Sequence, residues 1–593
     1  MMERSTSPAR GDYWALAAHW MVVARLALVA VVAWLVYPIL TPVHVEGFSA
    51  SIESLAMHLA SGHLSDYDRL FPANLEFFAL TRLGTVAFVA GIIRWLGLDS
   101  QWAMRVMMWA GFATLVWSSI VLVRRWTGAS VGLVVAALVL IPGISESAFF
   151  YNDNVLSAAL AIGALAIIGS SRRTVTTAIA GLLFGAGIVA RLDAVLLAPA
   201  VAMIAYEQHG RIDGGFVRRG LVFTAATLLP VLLVPASVDA SILDVVRISN
   251  YAVALWDLPP SLAPHARELA YFIGMPAALL IAFGVLKLAK EHAFYRLALL
   301  LGAPVFFNLV GLGKILRSRQ LLPLTPFFAA LAILGVRYLF ADDRDGSRAR
   351  LRLTVLIVGA AVLVGPVGKL QMSDGPRAPY GRFWSPRLWT TWQRTVRENV
   401  SDIGRLVDNA DPAAVTAVLT DSWDADRFLH LELQREGFSV EDIGGVQPPC
   451  AKAGEQFRRG SAHVLHLRLH QPFLPFPATF AAERLNRLAL PCLVAARPAQ
   501  SYLISPGAQV IPRLSSWPSL RGRVNERALV ESFFATGHDR LVAIPLTPAD
   551  IDPMESAFAA EAYAQKDSLG GASVDLARAE GLMANQVWRA GGP

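Results

Sequence analysis

The sequence predicts a polytopic α-helical membrane protein that ends in a separate C-terminal α/β domain, and three observations lead to this fold class. Of the 593 residues, 55% are hydrophobic and only 16% are charged, whereas about 25% of an ordinary soluble domain is charged. Apolar runs of about 17–25 residues, long enough to cross a hydrocarbon core of about 30 Å, recur before position 369. The composition then becomes mixed and polar. We therefore assign residues 1–368 to a transmembrane domain and residues 369–593 to a soluble, extracytoplasmic α/β domain.

Basic residues predict the sidedness of the spans, because Lys and Arg are enriched in cytoplasmic loops. Arg4 and Arg10 precede the first span, Trp14–Leu40, which we interpret as a retained helix of a bacterial inner-membrane protein. With this span, alternation gives about eleven crossings and places the C-terminal domain outside the cytoplasm. The other spans are predicted near 103–123, 128–143, 154–170, 174–190, 193–207, 220–237, 270–287, 296–312, 320–340 and 353–368.

The apolar stretch Leu75–Leu98 does not fit this alternation. In the predicted topology Glu46 lies outside and Arg124 inside, so an odd number of crossings separates them. Leu75–Leu98 is therefore predicted to lie along the membrane surface as an interfacial helix of the first loop. The alternative is that it spans the membrane and that one charge assignment is wrong.

Acidic residues from distant spans collect at the predicted outer face, where ionisable groups are costly unless they are paired or functional. Glu46, in "VEG" after the first span, is the leading candidate for a general base toward an acceptor hydroxyl or amine. A solvated loop glutamate is the alternative. Asp153 is either a partner carboxylate, suited also to a divalent cation such as Mg²⁺ or Mn²⁺, or the N-cap of its helix. Glu53 is either a substrate contact or a capping or solvated residue.

Basic residues at the same face predict an anion site. The glycine-spaced stretch "GLLFGAGIVARLDAVLLAPA" contains Arg191 and Asp193, which either contact the substrate or pair with each other. The stretch "LGKILRSRQLLPLTPFFAAL" carries Lys314, Arg317 and Arg319 on the outer side, against the positive-inside tendency. Phosphate or diphosphate binding explains these cations, and contact with lipid headgroups alone is the alternative.

Several other classes of site are not indicated by the sequence. It contains no Walker loop, no H-E-x-x-H, no G-x-S-x-G, and no G-x-G-x-x-G after a strand. An activated substrate at the outer face would therefore have to arrive on a lipid. Cytoplasmic loops account for the net charge of +7, so we expect no nucleic-acid partner. Cys450 and Cys492 are compatible with either a disulfide or two thiols.

In the C-terminal region, strand and helix patterns alternate. "AAVTAVLTD" and "AHVLHLRLH" are strand candidates, and "SWDADRFLHLELQREG" is an amphipathic helix candidate. A small α/β domain packed over a membrane site would suit acceptor recognition, although a fold alone does not give a function.

Four stretches, taken together and in order, resemble the type-C (GT-C) superfamily of integral membrane glycosyltransferases. This superfamily includes protein O-mannosyltransferases and the aminoarabinose transferase that acts on lipid A. The stretches are "VEGFSASIESLAMHLASGHLS", "FFYNDNVLSAALAIGALA", "GLLFGAGIVARLDAVLLAPA" and "RSRQLLPLTPFFAALAILG", spread over residues 14–340. The resemblance implies juxtamembrane helices in the first loop and sugar transfer, with inversion, from a polyprenyl-phosphate donor at the outer face.

The resemblance also implies roles for individual residues. Glu46 stands at the acidic motif of the first loop, Asp153 at the second acidic position, and Arg319 at the arginine that contacts the donor phosphate. Many members have Asp-Glu where this chain has Val45–Glu46, so Glu46 would have to replace the usual aspartate.

We therefore predict a glycosyltransferase that works among membrane lipids on a glycan, lipid or protein acceptor. One alternative is a transporter or a non-catalytic binder of lipid-linked glycans, which predicts inverted repeats or midplane charges. Another alternative is a glycan polymerase or ligase.

Overall fold

The computed structural model describes most of the membrane region and the core of the C-terminal region. The described residues are 47–62, 72–149, 151–237, 241–243, 245–246, 262–311, 318–340, 415–420, 423–440, 454–468, 500–506 and 541–546. Four of the described helices are long and apolar enough to cross a membrane, which identifies an integral membrane protein: Ser100–Thr127, Asp153–Ser170, Gly214–Ala236 and Arg319–Leu339. The predicted spans at 14–40 and 353–368 lie outside the described residues, so the number of crossings stays a prediction.

The described membrane region is entirely helical. Its helices are α1 (Gly47–Ser61), α2 (Pro72–Leu96), α3 (Ser100–Thr127), α4 (Val131–Val139), α5 (Pro142–Phe149), α6 (Asp153–Ser170), α7 (Thr174–Ala190), α8 (Ala198–His209), α9 (Gly214–Ala236), α10 (Leu262–Ile273), α11 (Met275–Lys290), α12 (Phe294–Leu297), α13 (Ala303–Gly311) and α14 (Thr325–Phe340). A π-helical turn, Ala298–Gly302, joins α12 to α13, and the 3-10 helices Leu192–Leu197 and Ser318–Leu324 precede α8 and α14.

Two central helices, α3 and α6, run parallel to each other. Gly111 of α3 packs on Val155 and Leu156 at the beginning of α6. Gly169, near the end of α6, packs on Arg125 near the end of α3. The intervening helices α4 and α5 therefore lead the chain back across the bundle, as the charge-based topology predicts.

A second pair, α11 and α14, is parallel, because Lys290 at the end of α11 contacts Tyr338 near the end of α14, and two glycines allow it to pack closely. A Cβ atom added at Gly284 would lie 2.0 Å from the carbonyl oxygen of Leu331, and one added at Gly335 would lie 1.9 Å from that of Leu280. Only residues without a side chain allow the two backbones to approach this closely. Both helices then run in the same direction as α3 and α6 in the charge-based topology.

Helix α2 is 25 residues long but is not among the four helices that qualify as spans. Gly84, in its middle, packs on the backbone of Val189 and Ala190 at the end of α7. A short turn after its end leads to Ser100, the first residue of α3, which donates a hydrogen bond to Glu53 of α1. Its position as an interfacial helix stays a prediction.

The described C-terminal residues form a six-stranded mixed sheet with one described helix packed on it. The strands are β1 (Val415–Thr420), β2 (Ser439–Val440), β3 (Gly454–Arg459), β4 (Ala462–Arg468), β5 (Gln500–Pro506) and β6 (Leu541–Leu546), and their order is β2-β3-β4-β1-β5-β6. β1 pairs in parallel with β4 and β5, and the other pairs are antiparallel.

The helix α15 (Trp423–Arg435) follows β1 and covers the sheet. Phe428 and Leu429 of this helix belong to one buried apolar cluster with Val418, Phe457 and Val464 of the strands. Strand and helix therefore occur where the sequence patterns predict them. The described residues do not test the predicted domain boundary between residues 368 and 369. They also do not test the predicted location of the C-terminal region outside the cytoplasm.

Candidate active site

The candidate site begins at the first turn of α6. Asn152 is the N-cap of this helix, because its side-chain oxygen accepts a hydrogen bond from the Val155 amide at 3.2 Å. The Asn152 amide group also donates to the carbonyl oxygen of Ser147 at 2.9 Å. The interpretation of Asp153 as a helix cap is therefore wrong. Its carboxylate has other partners.

The Asp153 carboxylate lies between two arginines. Its Oδ2 atom accepts a hydrogen bond from Nη1 of Arg191 at 3.0 Å and forms an ion pair with Nε of Arg82. Asp153 is only 7% exposed and Arg191 only 8%. Buried charges require such partners, because an isolated charge that is removed from water is strongly destabilised. The three side chains therefore form one ionic unit.

Arg191 connects this unit to a second carboxylate. The residue follows the end of α7 in an extended conformation, and its Nε atom donates to Oδ2 of Asp193 at 2.8 Å. Arg191 and Asp193 therefore pair with each other, which is one of the two sequence-based interpretations. Because Arg191 also binds Asp153, it bridges the beginning of α6 and the end of α7.

Arg82 is a member of the site that the sequence-based reasoning missed. It lies on α2, and its Nη1 atom donates to the carbonyl oxygen and hydroxyl of Thr81. Its helix is held against α7 by Gly84, where a Cβ atom would lie 2.6 Å from the Ala190 nitrogen. The only sequence signal was a single arginine within the apolar segment "ALTRLGTVAFVAG", and a buried cation in an apolar helix indicates a functional or paired residue.

Arg319 brings a third guanidinium group to this place. It lies in the 3-10 helix before α14, close enough to interact electrostatically with both Asp153 and Arg82. Among the described residues, the cluster thus contains three arginines and two carboxylates. We call Arg82, Asp153, Arg191, Asp193 and Arg319 the arginine cluster. Its excess positive charge suits an anionic ligand.

The other sequence-predicted site residues lie elsewhere or outside the described residues. Glu46, Lys314 and Arg317 lie outside the described residues. Glu53 is fully buried in α1, where it accepts hydrogen bonds from Ser100 at 2.6 Å and from Arg435 at 2.8–3.0 Å. The interpretation of Glu53 as a solvated or capping residue is therefore wrong, and its enclosure by protein groups does not suit a substrate contact.

The residues around Asp153 do not fit a divalent cation. Two guanidinium groups are directed at one oxygen of this carboxylate, and positive charge repels a metal ion at that position. Within the described residues, no group of three or more His, Cys, Asp or Glu side chains is arranged to hold a metal ion. Asp153 is therefore not suited to be a metal ligand.

Comparisons with known proteins find similarity at the level of solved structures. No protein-family model matches the chain, and no curated protein matches it. Among solved structures, the chain is similar to the crystal structure of ArnT from Cupriavidus metallidurans in the apo state. The identity is 15%, the TM-score is 0.47, and the match covers 85% of this chain and 95% of that one.

Proposed function

We propose that this protein is a membrane glycosyltransferase of the GT-C type. It transfers a sugar from a polyprenyl-phosphate donor to a glycan, lipid or protein acceptor on the extracytoplasmic face. The observation that carries the proposal is the arginine cluster, in which Arg82 and Arg191 bind the buried carboxylate of Asp153 and Arg319 interacts with it electrostatically. The sequence resemblance to GT-C enzymes gives this cluster its proposed substrate.

The phosphate group of the donor is the leaving group in this reaction. The acceptor oxygen or nitrogen forms a bond to the anomeric carbon, and the bond from that carbon to the phosphate oxygen breaks. The electron pair of the broken bond stays on the phosphate. Arg319 stabilises the developing charge, because hydrogen bonds between a guanidinium group and a phosphate are among the strongest in proteins. Attack opposite the leaving group inverts the anomeric centre.

Asp153 has a supporting role in this scheme. Its carboxylate is already bound by Arg191 and Arg82, so it is not available as the general base that activates the acceptor. The carboxylate instead holds the two guanidinium groups in fixed positions beside the donor phosphate. Fixed donors of this kind stabilise charge without reorganising during the reaction.

Glu46 is the proposed general base. It is bonded directly to Gly47, the first residue of α1, and it takes the proton from the attacking acceptor group. The proposal follows from its sequence position after the first span and from the resemblance to GT-C enzymes. No second acidic residue directly precedes it, since residue 45 is valine.

The test is incubation of the purified full-length protein with polyprenyl-phosphate sugars and candidate acceptors, followed by mass spectrometry of the released polyprenyl phosphate. The wild type should release it and form a glycosylated acceptor. Glu46→Gln should abolish transfer but keep donor binding, because only the proton acceptor is lost. Glu291→Gln is the matched control, since Glu291 is exposed and pairs with Lys287. Full transfer by Glu46→Gln would remove Glu46 from the mechanism, and donor binding without any transfer would favour a non-catalytic binder.

A further inference from the structure

The C-terminal domain docks on the first-loop helix α1 through α15. Ala50 of α1 belongs to the buried apolar cluster of the C-terminal domain, and Met57 packs against the same cluster. The rings of His58, the next residue of α1, and His430 lie 6.2 Å apart. A polar contact between His58 and Gln434 continues the interface. α1 is therefore packed between the membrane helices and the soluble domain.

A buried ion pair lies at the centre of this interface. Glu53 has no exposed surface, and Arg435 donates three hydrogen bonds to it, from Nε at 3.0 Å and from Nη2 at 2.8 Å to each carboxylate oxygen. The fourth hydrogen bond of Arg435 goes from Nη1 to Glu432 at 2.6 Å. Bidentate binding in a buried place fixes the direction of the carboxylate as well as its charge.

Arg435 makes more hydrogen bonds than are needed to stabilise the end of α15. Glu432 lies three residues before Arg435 and already provides a local counter-ion on α15. Three hydrogen bonds of Arg435 nevertheless go to a residue 382 positions away in the chain. The guanidinium group therefore joins two regions of the protein, with Glu432 as its local support.

The same carboxylate also contacts α3 and lies near Tyr151, which precedes α6. Ser100, the first residue of α3, donates to Glu53 at 2.6 Å. Tyr151 is hydrogen-bonded to Arg105 and interacts electrostatically with Glu53. Burial, together with the charge of Glu53, raises the pKa of Tyr151 to about 12, so its hydroxyl stays protonated. Tyr151 lies two residues before Asp153 in the chain.

We propose that Arg435 of the C-terminal domain is a positioning residue for sugar transfer. By holding Glu53, it fixes the outer end of α1 against that of α3, and the contact of Arg105 with Tyr151 extends this support to the outer end of α6. These ends carry the two proposed acidic residues, because Glu46 directly precedes α1 and Asp153 begins α6. The inference rests on the proposed function. It assigns to the soluble domain a part in aligning the membrane-bound site, and it does not require that the domain touch the substrate.

Arg435→Lys tests this role, because lysine keeps the positive charge and loses the planar fork that binds both oxygens of Glu53. Arg459→Lys is the matched control. Arg459 lies in the same domain, is exposed, and pairs with Glu436 at 3.7 Å. Glu53→Gln is a second variant that keeps an acceptor for Ser100 and removes the charge that Arg435 binds.

The first measurement is steady-state transfer by full-length protein in lipid nanodiscs. In Arg435→Lys and Glu53→Gln, kcat should fall by about tenfold or more while KM for the donor stays within about twofold, because alignment is lost and donor binding is not. Donor-binding stoichiometry should stay at the wild-type value. The proposal would be overturned if kcat fell only in proportion to the fraction of protein that still binds donor. A purely structural role of Arg435 gives that result.

The second measurement is hydrogen exchange, which is independent of activity. Amides of residues 47–61 should exchange about tenfold faster in Arg435→Lys than in the wild type, whereas residues 174–190 and the Arg459→Lys control should be unchanged. Unchanged exchange in residues 47–61 would show that Arg435 does not hold α1. Faster exchange with unchanged kcat would overturn the positioning role but leave the proposed function standing. Absence of transfer by the wild type would overturn both the positioning role and the proposed function. The exchange measurement would still show whether Arg435 holds α1.

Discussion

Asp153 accepts a hydrogen bond from Nη1 of Arg191 at 3.0 Å, although 38 positions separate the two residues. The contact joins the beginning of α6 to the end of α7, and Arg82 of α2 binds the same carboxylate oxygen. Three helices thus meet at one buried charge. A second carboxylate, Asp193, binds Arg191, and Arg319 interacts electrostatically with Asp153, so the arginine cluster is a structural junction whose excess positive charge suits an anion.

Replacement of Asp153 by Asn should destabilise the protein and abolish transfer. The amide leaves two buried guanidinium groups without their shared carboxylate, and breaking a buried ion pair costs about 3–5 kcal/mol. The thermal midpoint of the purified protein and its transfer rate measure the two effects. Asp213→Asn is the control, because Asp213 caps α9 at the opposite face of the bundle. Asp153→Asn with wild-type activity would show that the ionic unit is not needed.

Replacement of Gly84 by Ala should move Arg82 away from Asp153. The added methyl group would lie 2.6 Å from the Ala190 nitrogen and 2.8 Å from the Val189 carbonyl carbon, so α2 must shift from α7. Overpacking of this kind costs about 1–3 kcal/mol. Gly132→Ala is the matched control, since its new methyl group meets no atom within 4 Å. We expect a lower thermal midpoint and slower transfer for Gly84→Ala only. Equal values for both variants would mean that the close contact is not required.

Replacement of Glu432 by Gln should not destabilise the protein at pH 7. Burial raises the pKa of Glu432 above its ordinary value of 4.5, so the folded state binds its proton more tightly than the unfolded state does. Ionisation of Glu432 therefore opposes folding, and the loss of stability develops as the pH rises above about 4.5. Thermal midpoints between pH 4 and pH 8 should fall less in Glu432→Gln than in the wild type. Glu436→Gln, at a partly exposed position, should follow the wild type, and a clearly lower midpoint for Glu432→Gln at pH 7 would refute the account.

Removal of divalent cations should leave transfer unchanged. Arg82 and Arg191 direct positive charge at the Asp153 carboxylate, which therefore does not suit Mg²⁺ or Mn²⁺. The measurement is the transfer rate after dialysis against EDTA, with readdition of each metal as the control. An activity that disappears with EDTA and returns with either metal would place a metal ion in the mechanism.

The sequence was informative where charge and hydropathy act over whole helices. The charge-based topology brought Asp153, Arg191 and Arg319 to one face, and the structure places these residues together. The parallel direction of α3 and α6 also follows from the alternation of basic loops. These features depend on the length of the apolar segments and on the charge of the loops, and both can be read from a single sequence.

The same reasoning could not identify Arg82 and Arg435. Arg82 lies on a helix that is predicted to rest at the surface, and its approach to Asp153 depends on the contact between Gly84 and α7. Arg435 is separated from Glu53 by 382 positions, and no periodic pattern connects two such residues. The burial of Glu53 was missed for the same reason, because Arg435, which binds it, is distant in the sequence. Side-chain contacts between distant segments depend on how those segments pack together, which composition and periodicity do not specify.

The most direct test of the central claim is the affinity of purified, full-length protein for polyprenyl phosphate, with Arg319→Met compared against the wild type. Arg337→Met is the control, since Arg337 bonds the backbone of Thr127 near the far end of α14. A charge-assisted hydrogen bond contributes about 1.5–3 kcal/mol. We therefore expect Arg319→Met to bind at least about tenfold more weakly and the control to bind as the wild type does. Equal affinity of Arg319→Met and the wild type would contradict the assignment of the arginine cluster as the phosphate site.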